Sequence, residues 1–270
     1  MEFFRLKSFV SLLILFIAQS VFAASPTVTS EPVISVNENT AYSYEFTGSD
    51  ADGDELTWKL KDGTSLPNWL TLNHETIVST FAGSGNNGSA DGNDTAASFS
   101  FPYGVAVDSN ENVYVSDSSN HKIRKITSDG NVTTLAGSGN ADFADGLGEA
   151  ASFNSPNKVA VDSSGNVYVS DNFNHKIRKI SPDGNVTTLA GSGHGFFADG
   201  VGANASFQNP DGIAVDSSGN VYVADYSNHR IRKISSDGSV TTLAGSGNAT
   251  FTDGVGTTAS FKSPSGVAVD

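Results

Sequence analysis

The chain has 270 residues, with 29 acidic against 15 basic side chains and a formal charge of −14. So acidic a surface repels phosphate backbones, which argues against nucleic acid as a partner. Cysteine is absent, and with it any disulfide framework or thiolate metal site.

The first 23 residues have the form of a secretory signal. Arg5 and Lys7 give a positive start, residues 9–18 an apolar core, and Val21-Phe22-Ala23 a small-residue cleavage site. The apolar run is short for a membrane span. The expectation is a secreted, periplasmic or cell-surface protein with no stable membrane insertion after signal cleavage. Residues 25–75 differ from everything that follows. V-I-S-V-N-E-N-T-A-Y-S-Y-E-F at 33–46 alternates as strands do, D-A-D-G-D-E-L-T-W-K-L follows at 50–60, and L-P-N-W-L-T-L-N closes the segment. This resembles about half of a cadherin-like or Ig-like module of secreted bacterial proteins, which implies a small β-sandwich-like segment. The same resemblance makes Glu38, Asp50, Asp52 and Asp54 a candidate Ca²⁺ set, because hard cations take several carboxylate oxygens. The alternative is an ordinary solvated D-x-D-G turn.

From residue 78 onward one unit recurs without insertion or deletion. V-T-T-L-A-G-S-G begins at Val132, Val186 and Val240, and V-S-T-F-A-G-S-G at Val78, a step of 54 residues (132 − 78). A period of this size marks stacked supersecondary units that cannot bury their apolar faces alone. Within the unit starting at Pro156, the sequence predicts strands at 158–162, 167–171, 175–180 and 186–190, separated by Ser163-Ser164-Gly165-Asn166, by 172–174 and by Pro182-Asp183-Gly184-Asn185. Four short antiparallel strands with tight turns describe one propeller blade. No segment shows helical periodicity.

V-Y-V-S-D-x-x-N-H-K-I-R-K-I at 113–126 and 167–180, and V-Y-V-A-D-Y-S-N-H-R-I-R-K-I at 221–234, resemble NHL repeats. The resemblance covers residues 77–270 and implies a β-propeller, usually of six blades. Here the repeats run 78–131, 132–185, 186–239 and, truncated, 240–270. The expected fold is therefore all-β: an incomplete NHL-type propeller of three full four-stranded blades plus part of a fourth. Residues 78–82 read as an orphan fourth strand, the last repeat as stopping after its first strand, and the whole as an open arc from a longer protein. Open blade edges invite self-association.

Recurring polar residues read as structural, since a group needed once for chemistry has no reason to recur in every blade. Asp117, His121 and Arg124, then Asp171, His175 and Arg178, then Asp225, His229 and Arg232 are expected to form one hydrogen-bond network per blade. Asp91, Asp145, Asp199 and Asp253, each before a glycine, read as turn formers. The repeats 132–185 and 186–239 differ at 17 positions, ten of them between Asn140 and Lys158, so variation gathers in the long connection. Such connections are functional or mobile. Phe143, Phe197 and Phe251 share a column and read as local anchors. His194, Phe196, Lys158 and Asp142 break the pattern and are the candidate ligand-binding residues.

The leading reading is a secreted, non-catalytic binding or scaffold propeller that contacts an extracellular protein or glycan through its long-loop face. Calcium is the one candidate cofactor. The alternative is implied by the resemblance: a secreted metal-dependent lyase or lactone hydrolase whose catalytic blades are largely missing. His194, Glu149 and Lys158 form no recognisable catalytic set.

Overall fold

The computed structural model describes residues 79–270 and, ahead of them, the antiparallel pair β1 (Thr27–Val28) and β2 (Gly48–Ser49). Thr27 stands opposite Ser49 and Val28 opposite Gly48. These strands belong to the first of two compact units, Met1–Ile77; the second is Val78–Asp270. The signal segment, the rest of the 25–75 module, and Glu38, Asp50, Asp52 and Asp54 lie outside the described residues. Among the described residues no helix is long and apolar enough to cross a membrane.

The second unit contains three matching antiparallel sheets. The first holds β3 (Gly92–Asn93), β4 (Pro102–Val107), β5 (Val113–Asp117), β6 (Lys122–Ile126) and β7 (Asn131–Ala136). The second holds β8 (Gly146–Leu147), β9 (Pro156–Val161), β10 (Val167–Asp171), β11 (Lys176–Ile180) and β12 (Asn185–Ala190). The third holds β13 (Gly200–Val201), β14 (Pro210–Val215), β15 (Val221–Asp225), β16 (Arg230–Ile234) and β17 (Ser239–Ala244). The order in the second sheet is β8-β12-β11-β10-β9, and the others repeat it. Each blade thus carries a fifth strand beyond the four the sequence predicts. It is two residues long, comes from the long connection, and caps the outer edge of the fourth strand: Asn185 faces Leu147 and Val186 faces Gly146. The connection is accordingly not free of regular structure, since a 3-10 turn, Gly148–Ala150, follows β8 directly.

Side-chain hydrogen bonds shape the tight turns. In the second blade Asp162 Oδ1 accepts the backbone N–H groups of Ser164 and Asn166, while its Oδ2 accepts from Asn166 Nδ2 and the Tyr168 hydroxyl. This is a carboxylate standing in for a strand partner at the β9–β10 hairpin. At the other end of β10 a 3-10 turn, Asn172–Asn174, stops at His175 in the left-handed region (φ 55°).

The core lies between blades. Tyr114, Ile123 and Ala136 of the first blade pack against Phe153, Val159, Val167, Val169 and Ile180 of the second. Tyr168, Ile177 and Ala190 of the second do the same against Phe207, Ile213, Val223 and Ile234 of the third. Successive residues of a strand point to opposite faces, so each strand feeds both interfaces and the sequence shows little in/out alternation. The first strands lie side by side, with β9 between β4 and β14. Val159 and Ile213, each covered by the preceding blade, are 5% and 7% exposed; Val105, in the same column of the first blade, is 65% exposed.

Two expected strands do not form. Residues 79–82, the described part of the orphan fourth strand, join no ladder, and neither do residues 264–270. In the other copies those segments pair with a third strand before and a second strand after; among the described residues no such ladder forms at 79–82 or 264–270. A strand without a hydrogen-bonded neighbour is an extended segment, not part of a sheet. Gly266 nonetheless runs against β14: a Cβ on Gly212 would meet Gly266 Cα at 2.8 Å.

Candidate functional site

In an antiparallel blade the turns alternate between two ends. The long connections and the second-to-third-strand turns therefore share one end, and the hairpin turns near Asp162 and Asp183 the other. Backbone bonds join the first two sets: Phe173 N–H donates to Asn154 O and Ser227 N–H to Gln208 O.

Beneath this face each blade holds a buried ion network. Arg178 Nη1 donates to Asp171 Oδ2 at 2.7 Å and to Ser152 O, and its Nη2 to Asp145 Oδ1 at 2.7 Å and to Ala144 O. Asp171 also accepts from Asn154 N–H and Asn174 Nδ2. Arg124 with Asp117 and Asp91, and Arg232 with Asp225 and Asp199, repeat the arrangement. Burial pushes the carboxyls of Asp171 and Asp225 up, with Arg178 and Arg232 pulling against it. The guanidinium groups of Arg178 and Arg232 are sandwiched, Arg178 between Phe143 and Phe153 and Arg232 between Phe197 and Phe207, while Arg124 has Phe99 on one side. Nε has no hydrogen-bond partner in any of the three among the described residues, and the ring faces add cation–π contact. Asp91, Asp145 and Asp199 therefore do more than shape a turn: they carry the second half of each arginine fork.

The histidines stand apart from these networks, which corrects the expected grouping. His121, His175 and His229 hold left-handed backbone at the end of the 3-10 turn, with φ 54–56°. That turns the ring toward the next blade. His121 Nδ1 accepts from Ser155 N–H at 3.0 Å, His175 Nδ1 from Asn209 N–H at 3.1 Å, and His229 Nδ1 from Ser263 N–H at 3.1 Å. Burial pushes His121 and His175 down, away from the charged form.

The four candidate ligand residues fall into separate places. His194 and Phe196 are exposed at one loop tip, their rings stacked at 6.3 Å and 14°. Asp142 lies one loop earlier, where its carboxylate accepts the Phe143 N–H at 2.7 Å. Lys158 is on β9, its Nζ donating to Tyr103 O at 3.0 Å and sitting 4.4 Å over the Tyr103 ring. No hydrogen bond or ring contact joins these three places among the described residues. Phe143 and Phe197 rest on arginine, whereas Phe251 is 84% exposed.

Lys158 stands in a cluster that sequence reasoning left out. Tyr103, Asn157, Asp211 and Ser265 occupy one column at the start of the first strands and differ in every copy, although the proline before them never changes. Asn157 Nδ2 donates to Asp211 Oδ1 at 3.3 Å. Asp211 is 5% exposed, and burial pushes its carboxyl up while Asn157 and Lys158 pull it down. Column variation was the available signal.

Three antiparallel sheets packed face to face, with their first strands side by side, define a β-propeller assembly. Residues 153–180 and 207–234 match the family model described as NHL repeat, so the chain carries NHL repeats in this β-propeller arrangement. Residues 25–133 match the Putative Ig domain model, which runs past Ile77 into the first blade. The chain is 34% identical over 200 residues to NHL repeat-containing protein 2 of Gallus gallus, covering 67% of this chain and 27% of that protein. It is 31% identical over 170 residues to Protein SUPPRESSOR OF QUENCHING 1, chloroplastic, of Arabidopsis thaliana, covering 58% and 16%. The chain thus spans little more than a quarter of these relatives at most. Among solved structures, an auxiliary nutrient binding protein from Bacteroides ovatus matches with a TM-score of 0.51, 18% identity and coverage of 64% of this chain and 44% of that one. One from Bacteroides thetaiotaomicron gives 0.50, 20%, 62% and 42%. These likenesses carry the fold.

Proposed function

We propose that this chain is a secreted, non-catalytic binding protein that holds an extracellular ligand on its long-loop face. One observation carries the reading: most of the positions at which the repeats depart from one another lie at that end. Ser118-Ser119 becomes Asn172-Phe173 and then Tyr226-Ser227, and Phe101 becomes Ser155 and Asn209. The hairpin turns at the opposite end stay nearly constant, as Asp108, Asp162 and Asp216 show. A scaffold holds its blades constant and varies the surface that recognises something. Phe173 and Phe196 are exposed there beside amides and the stacked His194. Aromatic anchors with polar neighbours suit a protein or glycan surface.

The test is capture from printed panels of extracellular proteins and glycans by the full chain and by the pair His194→Ala and Phe196→Ala. A control, Asp183→Asn, alters the opposite end. The reading expects capture by the parent chain and the control, with about tenfold weaker capture by the double variant. Equal capture by all three, or loss only with Asp183→Asn, contradicts it.

A further inference from the structure

Gly104, Lys158 and Gly212 share one column of the first strands. Gly104 is close to its neighbour: a Cβ there would meet Asn157 O at 2.6 Å and Lys158 Cα at 2.7 Å. Gly212 is equally close to Ser265 and Gly266. The position between them is Lys158, which carries a long side chain where the other copies have glycine. The neighbouring serines record the consequence. Ser116 Oγ, on β5, reaches across to Asn157 O. Ser170 Oγ, its counterpart on β10, bonds Lys158 N at 2.9 Å and Lys158 O at 3.2 Å, both on its own blade. Among the described residues it has no bond to β14.

Across from Asn157 and Lys158, β14 places Asp211, a residue 5% exposed whose carboxylate has few donors. Asp211 Oδ1 accepts the single long bond from Asn157, and Oδ2 accepts none among the described residues. That leaves Oδ2 free to accept a hydrogen bond from a ligand. Lys158 Nζ uses one N–H on Tyr103 O, which leaves two. The Tyr103 ring is 51% exposed, with Lys158 over one face.

We infer that Asp211, Asn157, Lys158 and Tyr103 form a subsite for a neutral sugar unit, gripped through a pair of adjacent hydroxyls. This rests on the binding reading above and names its ligand class. The charges decide the class. An anion would meet Asp211 and a chain of net charge −14. A cation would meet the Lys158 ammonium. A neutral diol donates one hydroxyl to Asp211 Oδ2 and accepts from Lys158 Nζ with the other, and its C–H face lies on the tyrosine ring. Asp211 Oδ2 and a spare N–H of Lys158 are then both paired with no net charge brought in.

Saturation-transfer NMR and titration of the full chain with methyl glycosides of glucose, galactose, mannose and N-acetylglucosamine test this. Glucuronic acid and glucosamine serve as charged counterparts. At least one neutral glycoside is expected to bind about tenfold tighter than either charged sugar, with about tenfold loss on Asp211→Asn and on Lys158→Gly. Lys158→Gly restores the residue found in the other copies, so a folding failure does not mask the result. If no neutral glycoside binds, or if the bound one is indifferent to both variants, the subsite is overturned. Panel capture that still depends on His194 and Phe196 would then leave the face reading standing. An empty panel together with no sugar binding overturns both.

Discussion

Arg178 Nη2 and Asp145 Oδ1 meet at 2.7 Å although 33 residues separate them. The contact fastens a long connection to the blade it introduces. Asp145 Oδ2 in turn accepts the Thr188 N–H of β12, so one carboxylate ties connection, third strand and fourth strand together. Arg178→Met leaves Asp171 buried without its counter-ion. Removing one partner of a buried pair costs about 3–5 kcal/mol, and urea denaturation is expected to show a loss of that order. Arg178→Lys rescues little, because an ammonium cannot make the two-pronged fork or stack flat between Phe143 and Phe153. A lysine variant as stable as the parent contradicts this.

The two loop phenylalanines separate anchoring from exposure. Phe143 lies 4.5 Å from Lys176 Nζ and 4.8 Å from Arg178 Cζ. Phe143→Ala is expected to cost about 1–2 kcal/mol of packing and cation–π energy. Phe251, which lies on nothing comparable, is expected to change stability by less than about 0.5 kcal/mol on the same substitution. Paired thermal melts check both.

The inter-blade histidines predict an acid-labile assembly. Nδ1 of His121 and of His175 accepts a backbone N–H, so it must be unprotonated, and burial pushes both below the usual histidine value. The unfolded chain then binds more protons than the native one, and stability rises with pH. The contribution is complete above the unfolded histidine value near 6.5 and is lost as pH falls from there through the lower native values. The charge of Asp225 pulls His175 the other way. The double variant His121→Asn and His175→Asn keeps an acceptor oxygen and tolerates left-handed backbone. Its melting temperature is expected to change less between pH 7.5 and 5.5 than the parent's. Parallel curves contradict the assignment.

Close approach of the first strands gives a steric prediction. Gly104→Ala puts a methyl 2.6 Å from Asn157 O. Backbone has to shift, at a cost of about 1–3 kcal/mol. Lys158→Gly relieves rather than adds crowding and is expected to stay within about 1 kcal/mol of the parent. Denaturant midpoints decide between them.

Strands with β-branched and aromatic content between strong turns were legible from the sequence: 167–171 was read to the residue as β10. The outer strand Gly146–Leu147 was not. Two residues carry no periodicity, and what makes them a strand is the neighbouring β12. Residues 79–82 and 264–270 show the converse, strand composition without a partner to pair with. The histidine contacts were hidden because the partner is a backbone N–H, which leaves no mark on residue identity. Recurrence alone could not tell a bond within a blade from one between blades. At the start of the first strands the signal was visible, since Tyr103, Asn157, Asp211 and Ser265 differ beside an unchanging proline. Their proximity across strands needed the fold.

The most direct test of the binding face is hydrogen–deuterium exchange of the full chain with and without the tightest ligand from the printed panels. The account predicts slowed exchange at 154–158, 194–197 and 208–212, with the hairpin turns at 127–131, 181–185 and 235–239 unchanged. Protection confined to those hairpin turns would place recognition at the opposite end of the blades and contradict it.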